Sequence, residues 1–250
     1  MKVLETIDLT VSYKKVPAVW GVDFHVPQGS FVGIIGPNGS GKSTLLKACV
    51  GLLPLSSGSL NYFEGKTLKE SRKRIAYLPQ RESIDWDFPI NVLDVVLMGC
   101  YPKLGLFRSP GRAETRLADL CLDKVGMLDF RSRQISELSG GQQQRVFLAR
   151  ALAQQAELYM LDEPFSAVDA KTEATILEVI ADLKKQGKSI VVVHHDLFSV
   201  AKNTDLALLL NTRRVNFGPT SEMMTKENLE ETYGGQLESF AHVLFESAKQ

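Results

Sequence analysis

The sequence predicts an α/β fold in which a mixed sheet with an antiparallel β layer is interrupted by an inserted α-helical subdomain. Residues 3–13 and 17–27 alternate roughly between apolar and polar side chains, which is typical of paired antiparallel strands. A short apolar run at residues 31–35 indicates a buried strand, and a glycine-rich turn and a helix from Ser43 to Val50 follow it. From about residue 81 to residue 154, strand patterns give way to helical spacing.

The domain boundaries are predicted from this change of pattern. Residues 1–80 and 155–250 form the α/β core, and residues 81–154 form the helical insertion. Within the insertion, one helix is predicted at residues 112–125. Its apolar stripe consists of Leu117, Leu120, Cys121 and Val125.

Length and charge limit the classes of protein to which the chain can belong. A chain of 250 residues can hold one large domain or two lobes, and a hydrophobic fraction of 44% suits an ordinary core. Lys plus Arg and Asp plus Glu both number 29, so there is no basic excess to indicate nucleic acid as a partner. The N-terminus lacks the apolar core of a signal peptide, and no apolar run approaches the ~20 residues of a spanning helix. We therefore expect a soluble or peripheral protein that needs a partner chain for any membrane role.

Three cysteines, Cys49, Cys100 and Cys121, are far apart in the sequence and lack C-x-x-C spacing. A sparse, odd set of this kind suits a reducing compartment and predicts small core residues rather than ligands or nucleophiles. No local cluster of His, Cys and Asp has the spacing of a metal site in the sequence.

The strongest motif follows the strand at residues 31–35 and fits the phosphate-binding P-loop pattern G-x-x-x-x-G-K-[ST]. Its glycines let successive N–H groups point into one concavity, and the following helix adds the positive end of its dipole. In this pattern Lys42 reaches the β- and γ-phosphates, Ser43 is a ligand of Mg²⁺ and Thr44 adds a phosphate contact. The alternative, a glycine-rich turn without a ligand, is disfavoured by the order of strand, loop, Lys-Ser and helix. The predicted nucleotide-binding residues here are Gly36, Pro37, Asn38, Gly39, Ser40, Gly41, Lys42, Ser43 and Thr44.

Residues 139–142 form a second helix start of unusual composition. Ser139 and Gln142 have the spacing of a capping box, which by itself indicates only where a helix begins. The first helical positions are Gly140 and Gly141, although glycine costs a helix about 1 kcal/mol relative to alanine. Bare N–H groups, a serine hydroxyl and a positive dipole end suit a second anion site.

Two acidic residues end the apolar strand that begins near residue 157. Acids at the end of a buried strand in a P-loop protein suit Mg²⁺ binding and the activation of water. We therefore assign Asp162 to Mg²⁺ and Glu163 to the attacking water as general base. Pro164 predicts an extended backbone at Glu163, which would help to fix the direction of its carboxylate. The alternative is a pair of surface acids.

Four other residues leave two interpretations open when each is taken alone. Tyr13 could stack on an adenine ring or simply end a strand. Gln80 could reach Mg²⁺ or the attacking water, or lie in an ordinary loop. His195 could hold the γ-phosphate or the water, or have a structural role. Asp169 could cap the following helix, contact a second subunit, or both.

Taken together, these motifs resemble the ATP-binding subunit of an ABC transporter over nearly the whole chain. Residues 36–44 resemble the first phosphate motif of that family, and residues 138–142 resemble its signature pentapeptide. Residues 158–163 resemble its second nucleotide motif. Residues 166–169 resemble its D-loop, with Val168 where leucine is commoner.

The resemblance also implies a functional role for three of these four residues, and it implies the P-loop NTPase core of an ABC ATPase. It assigns the adenine platform to Tyr13, the glutamine loop to Gln80 and the switch histidine to His195, whereas it gives His194 no role. The catalytic residues that it implies are Glu163, His195 and Gln80. The Mg²⁺ of MgATP would be held by Ser43, Gln80 and Asp162.

A homodimer packed head to tail is a further implication of the resemblance. Each ATP would lie between the P-loop of one chain and the signature helix of the other. The residues that would bind the partner's nucleotide are Ser139, Gly140, Gly141 and Gln142. ATP would drive closure through its tighter binding to the closed dimer, and hydrolysis would let the dimer reopen.

A finer resemblance lies at residues 81–89 and 92–99, which look like the branch that imports manganese, zinc or iron. It implies ATP hydrolysis coupled to metal-ion import, with manganese favoured. This segment would face integral-membrane permease subunits, and a metal-binding solute-binding protein would be an indirect partner. The chain would then lie peripherally on the cytoplasmic face of a bacterial inner membrane.

Two other classes of protein are alternatives. The first is a soluble ABC ATPase with a non-transport role such as iron–sulfur cluster assembly. Translation factors of this type usually carry two cassettes and DNA-repair versions carry a long coiled coil, and the sequence has neither. The second alternative, a P-loop GTPase or small kinase, leaves residues 138–142 unexplained, and the sequence contains no N-K-x-D guanine motif.

Overall fold

The computed structural model contains both strands and helices, and it describes residues 1–105, 108–166 and 168–234. The strands in these ranges are β1 (Lys2–Tyr13), β2 (Val16–Pro27), β3 (Phe31–Ile35), β4 (Ser57–Tyr62), β5 (Ile75–Leu78), β6 (Leu158–Asp162), β7 (Ser189–Val193), β8 (Leu206–Asn211) and β9 (Arg213–Pro219). The α-helices are α1 (Lys42–Cys49), α2 (Leu68–Ser71), α3 (Val92–Leu97), α4 (Tyr101–Leu104), α5 (Arg112–Lys124), α6 (Gly140–Ala153), α7 (Ala170–Lys185), α8 (Leu197–Asn203), α9 (Thr220–Met223) and α10 (Lys226–Tyr233). The predicted mixed α/β fold is confirmed.

The chain forms two compact units. The first contains residues 1–68 and the described residues from 189 onward, and the second contains the described residues from 69 to 188. Helices α3 to α6 fall inside the segment predicted to be a helical insertion, residues 81–154. The limits of that insertion, residues 81–154, stay a prediction. The compact units are defined by contacts, whereas the insertion was predicted from helical spacing. None of the helices in the described ranges combines the length and apolar character needed to cross a bilayer.

An antiparallel sheet in the first unit has the strand order β2–β1–β4. Leu4 of β1 pairs with Val26 on one side and with Tyr62 on the other, and its side chain is fully buried. Lys14 and Lys15 connect β1 to β2 with φ values of 46° and 70°. Positive φ at both loop residues is typical of the tight hairpin turns that match strand twist. The predicted antiparallel pair is therefore confirmed.

The strand before the P-loop is part of a second group of strands in the first unit, with the order β7–β3–β8–β9. β3 runs parallel to both β7 and β8, and β9 is an antiparallel edge strand. Every residue of β3 and β7 is buried, as expected for parallel strands covered on both faces. Because Ile34 pairs with Val193, the loops after β3 and β7 leave the same edge of the sheet side by side.

In the second unit, β5 pairs with β6 in parallel, and Leu78 lies opposite Leu161. The residues that follow these strands, Gln80 and Glu163, are therefore brought to one edge. Helices α3, α5 and α6 pack against one another in the same unit.

One predicted core position in α5 is wrong. Leu120 is 55% exposed, although the predicted apolar stripe included it. The buried face of the helix is formed by Ala118, Cys121 and Leu122, and it continues at Val125. Leu120 lies two positions from both Ala118 and Leu122, and residues two apart in a helix point in nearly opposite directions.

Leu122 and Leu120 provide a matched pair for a stability test. Replacing Leu122 by alanine is expected to lower the free energy of unfolding by about 2–5 kcal/mol, because a fully buried side chain is removed from a packed helix face. Leu120→Ala is expected to change it by at most about 0.5 kcal/mol. Urea unfolding followed by circular dichroism measures both values, and equal losses at the two positions would contradict the assignment of the buried face.

Candidate active site

The P-loop after β3 contains two glycines at which any side chain would collide with neighbouring backbone. A Cβ atom on Gly36 would meet the carbonyl oxygen of Leu210 in β8, and one on Gly41 would meet the carbonyl oxygen of Ala18 in β2. Gly41 also has a φ of 96°, in the left-handed region. The loop is therefore held tightly between β2 and β8 of the first unit.

Lys42 is the first residue of α1, and its side chain turns back over the loop. Its Nζ donates to the carbonyl oxygens of Gly36 at 2.8 Å and Pro37 at 2.9 Å, and the residue is 6% exposed. The first turn of α1 has no acidic residue, and no described side chain caps it. A buried ammonium group and an uncapped positive dipole end together suit a phosphate. Ser43 and Thr44 are half-buried in the same turn.

The remaining P-loop residues are divided between an exposed tip and an anchored end. Asn38 and Gly39 are exposed, and Pro37 is half-buried beside them. Ser40 is buried, and its carbonyl oxygen accepts a hydrogen bond from the backbone N–H of Thr212 at 2.9 Å. The loop is thus fixed at its base and open at its tip.

Two aromatic side chains lie exposed on the β1–β2 hairpin. Tyr13, the last residue of β1, is 50% exposed and pairs with Val16. Because β2 contacts the P-loop at Gly41, the hairpin that carries Tyr13 adjoins that loop. Sequence reasoning missed Trp20, which is also 50% exposed and carries the Arg213 guanidinium 3.8 Å from its ring centroid.

The loop after β7 carries two adjacent histidines with opposite environments. His194 is buried, whereas His195 is exposed. The backbone N–H of His194 donates to the carbonyl oxygen of Ile34 at 3.1 Å, so the contact between β3 and the β7 segment continues one residue beyond β7. Asp196 accepts the N–H of Phe198 at 2.9 Å and caps α8. His195 is therefore placed at the sheet edge from which the P-loop emerges.

In the second unit, the residues that follow β5 and β6 contact each other. Nε2 of Gln80 donates to Oε2 of Glu163 at 3.2 Å. Asp162 is fully buried, and the hydroxyl of Tyr77 donates to its Oδ2 at 3.4 Å. Burial raises the pKa of Tyr77, and the neighbouring Asp162 carboxylate raises this pKa further. A buried carboxylate beside an amide and a second carboxylate is a set of oxygen donors suited to a hard cation and to water.

The expected extended backbone at Glu163 is wrong. Its φ is 50°, in the left-handed region, although a proline follows it. The carbonyl oxygen of Glu163 accepts the backbone N–H of Ser166 at 3.1 Å, which closes a turn. This turn overrides the usual preference of the residue before proline. The direction of the Glu163 carboxylate is set by the turn and by Gln80.

Ser139 and Gln142 form the predicted capping box at the start of α6. Oγ of Ser139 accepts the N–H of Gln142 at 3.4 Å, and Oε1 of Gln142 accepts the N–H of Ser139 at 2.9 Å. A Cβ atom on Gly140 would lie 3.1 Å from Nε of Arg81, and one on Gly141 would lie 3.4 Å from Oγ1 of Thr172. The two glycines thus also allow close packing, which sequence reasoning did not consider.

Asp169 caps α7, as one of the two predicted interpretations requires. Its Oδ1 accepts the N–H of Thr172 at 2.7 Å, and hydrogen bonds from the Thr172 backbone and side chain hold the pKa of Asp169 below its usual value. Residues 166–169 resemble the D-loop, and one of them, Ala167, lies outside the described residues.

The segment at residues 81–89 packs on α6 through an aromatic contact. The ring centroids of Trp86 and Phe147 are 5.0 Å apart with an interplanar angle of 63°. Nε1 of Trp86 donates to the carbonyl oxygen of Arg81 at 2.9 Å, and Arg81 donates to Oε1 of Gln143. Phe88 is 57% exposed, so this segment combines an anchored base with an apolar side chain in solvent.

All three cysteines are buried and free, as predicted. Burial raises the pKa of Cys49 to about 12 and that of Cys121 to about 11. Burial also raises the pKa of Cys100.

Tyr233 of α10 is a second aromatic residue that sequence reasoning missed. Its ring packs against a buried cluster that includes Ile35, the residue before the P-loop. Burial raises the pKa of Tyr233, and the backbone N–H of Gly36 opposes this rise. The sequence offered no signal for this position beyond an apolar ring near the end of a helix.

Comparison with known proteins places these features in a family. The chain matches the ABC transporter family over residues 19–166. It is 53% identical over 234 residues to the manganese transport system ATP-binding protein MntB of Bacillus subtilis, which covers 94% of this chain and 93% of that protein. It is also 53% identical over 232 residues to the zinc transport system ATP-binding protein TroB of Treponema pallidum, covering 93% and 87% of the two chains.

Solved structures show the same relationship. A metal-chelate type ABC transporter in an inward-facing conformation superposes with a TM-score of 0.79 and 30% identity, over 92% of this chain and 88% of that one. A dimeric bacterial ABC transporter cassette superposes with a TM-score of 0.77 and 28% identity, over 87% and 98% of the two chains. The chain therefore belongs to the ABC transporter family, as one of its ATP-binding and ATP-hydrolysing subunits.

Proposed function

We propose that this ATPase subunit powers the import of a metal ion, either manganese, zinc or iron, with manganese favoured. The observation that carries the proposal is 53% identity over more than nine-tenths of the chain to subunits of a manganese and a zinc transport system. The relatives reported above are transport-system subunits, and none of them supports the alternative of a non-transport ABC ATPase.

The P-loop residues, from Gly36 to Thr44, are the proposed site for the phosphates of ATP. The close backbone approach at Gly36 and Gly41 and the buried ammonium group of Lys42 support this assignment. Tyr13 is proposed to stack on the adenine, because its ring is exposed on a hairpin that adjoins the loop.

Mg²⁺ is proposed to be held by oxygen atoms of Ser43, Gln80 and Asp162. Hydroxyl, amide and carboxylate oxygens are the ligands that Mg²⁺ prefers, and the fully buried Asp162 carboxylate fits a bound cation. The ion would neutralise negative charge that develops on the phosphates.

Glu163 is proposed as the general base. The oxygen of a water molecule attacks the γ-phosphorus, the bond to the oxygen that bridges the β- and γ-phosphates breaks, and a water proton passes to the carboxylate. The hydrogen bond from Gln80 to Oε2 supports a fixed carboxylate. His195 is proposed to hold the γ-phosphate or this water.

The chain is proposed to form a homodimer that binds integral-membrane permease subunits. A metal-binding solute-binding protein is the proposed indirect partner, and nucleic acid is not a proposed partner. Dimeric cassettes are known in the family, and one superposes on this chain. Each signature segment, residues 139–142, would complete the ATP site of the other chain. The exposed Phe88 makes residues 81–89 the proposed contact with the permease, on the cytoplasmic face of the bacterial inner membrane.

Glu163→Gln tests the assignment of the base. The variant is expected to bind ATP, to lose nearly all turnover and to accumulate a closed dimer, since the amide cannot accept the water proton. ATP binding, phosphate release and size-exclusion chromatography with ATP measure these properties. Glu178→Gln makes the same chemical change at an exposed position of α7 and is expected to hydrolyse ATP normally. Normal hydrolysis by Glu163→Gln would remove this residue as the base.

Sharing of sites between chains can be tested by mixing two inactive variants. Lys42→Ala removes the phosphate contact, and Gly141→Asp places a negative charge at the signature helix. If sites are shared, a mixed dimer retains one site in which both motifs are intact. An equimolar mixture is then expected to recover about a quarter of wild-type ATPase activity by random pairing. No recovery, with pairing verified by tagged co-purification, would contradict the shared site.

The transported ion can be identified with the intact complex in liposomes. ATP hydrolysis is measured as solute-binding protein is added, loaded in turn with Mn²⁺, Zn²⁺ or Fe²⁺. One loaded form is expected to stimulate hydrolysis and ion uptake, because coupling requires a loaded partner; the unloaded protein is the control. Absence of any membrane partner or metal response would reject metal import and leave the ATPase assignment intact.

A further inference from the structure

His194 is the buried member of the histidine pair after β7, and the family resemblance gives it no role. The residue is 5% exposed, although imidazole is polar and its neighbour His195 is exposed. Burial of a polar ring is unfavourable unless its polar atoms form hydrogen bonds. The bonds that the ring forms therefore indicate what it does.

Nδ1 of His194 accepts hydrogen bonds from two consecutive backbone N–H groups. The N–H of His195 lies 3.0 Å from it and the N–H of Asp196 lies 3.1 Å from it. A ring nitrogen that accepts carries no proton, so the neutral ring has its proton on Nε2. Burial, followed by the charge of His195, lowers the pKa of His194 to about 4, whereas Asp196 opposes this change. The ring is thus a neutral acceptor at pH 7.

Other contacts fix the two ends of the same short loop. The N–H of His194 is bonded to Ile34 of β3, and the side chain of Asp196 caps α8. His195 lies between these two anchors. The rings of His194 and His195 also contact each other edge to face, with centroids 5.5 Å apart and an interplanar angle of 77°.

We propose that His194 is a positioning residue, whose Nδ1 fixes the backbone of His195 and thereby sets the direction in which the His195 side chain leaves the loop. This inference rests on the proposed role of His195 at the γ-phosphate or the attacking water. His194 itself touches neither ATP nor water in this mechanism. It acts by holding His195 in one orientation, so that less conformational freedom is lost on the way to the transition state.

Three substitutions separate the acceptor atom from the rest of the ring. Asparagine carries Oδ1 on the same Cγ that carries Nδ1 in histidine, so His194→Asn retains an acceptor in nearly the same place. His194→Gln moves the acceptor one methylene further out, and His194→Leu removes it. If His194 acts as a positioning residue, His194→Gln and His194→Leu are expected to lower kcat about 10-fold to 100-fold. This is the effect typical of partners that orient a functional group. The KM for ATP is expected to change little in these variants. His194→Asn is expected to retain most of the wild-type kcat.

The experiment measures kcat and KM for ATP with the full chain and includes His195→Ala as a reference. Wild-type kcat in His194→Gln or His194→Leu, while His195→Ala is slow, would overturn the role of His194 alone. A kcat of His194→Asn as low as that of His194→Gln would also overturn the positioning role. A purely structural need for the ring would then explain the lower kcat values. Wild-type kcat in His195→Ala would instead reject the proposed role of His195, and the inference with it. If His194→Leu fails to fold, as judged by circular dichroism, the comparison of His194→Asn with His194→Gln decides the test.

Discussion

The parallel pairing of β3 with β7 is the constraint on which the first unit depends. Ile34 lies opposite Val193, and the bond from His194 N–H to Ile34 carries the contact one residue further. Successive residues of a strand point to opposite faces. A slip of one residue would therefore either bring His195 into the buried position of His194 or bring His194 into the exposed position of His195. The register of two buried strands decides which histidine is available at the P-loop edge.

The second unit uses the same principle to bring together residues from distant parts of the chain. Parallel pairing of β5 with β6 places Gln80 against Glu163, which are more than 80 positions apart in the sequence. The amide then holds one carboxylate oxygen. Loops can carry such contacts because the strands beneath them are rigid and buried.

Local patterns predicted the parts of the site that depend on local chemistry. The P-loop strand and helix, the Ser139 capping box and the cap at Asp169 each depend on a few neighbouring residues, so spacing alone identified them. The left-handed backbone of Glu163 was missed because it depends on a turn closed by Ser166, which outweighs the preference imposed by proline.

Features that require pairing between distant segments could not be read from spacing. Tyr77 reaches Asp162 only because β5 and β6 are neighbours, and Tyr233 packs near Ile35 only because α10 returns to β8. The role of the His194 ring is also invisible in the sequence. It depends on the direction of two N–H groups in a loop whose path no periodic pattern describes.

The burial of the cysteines has a consequence for the reactivity of their thiols. The thiolate is the form that binds soft metals and reacts with oxidants. With a pKa of about 11, only about one Cys121 thiol in ten thousand is ionised at pH 7, and Cys49 with a pKa of about 12 is ionised even less. These buried, neutral thiols are therefore expected to react slowly with soft metal ions and with oxidants.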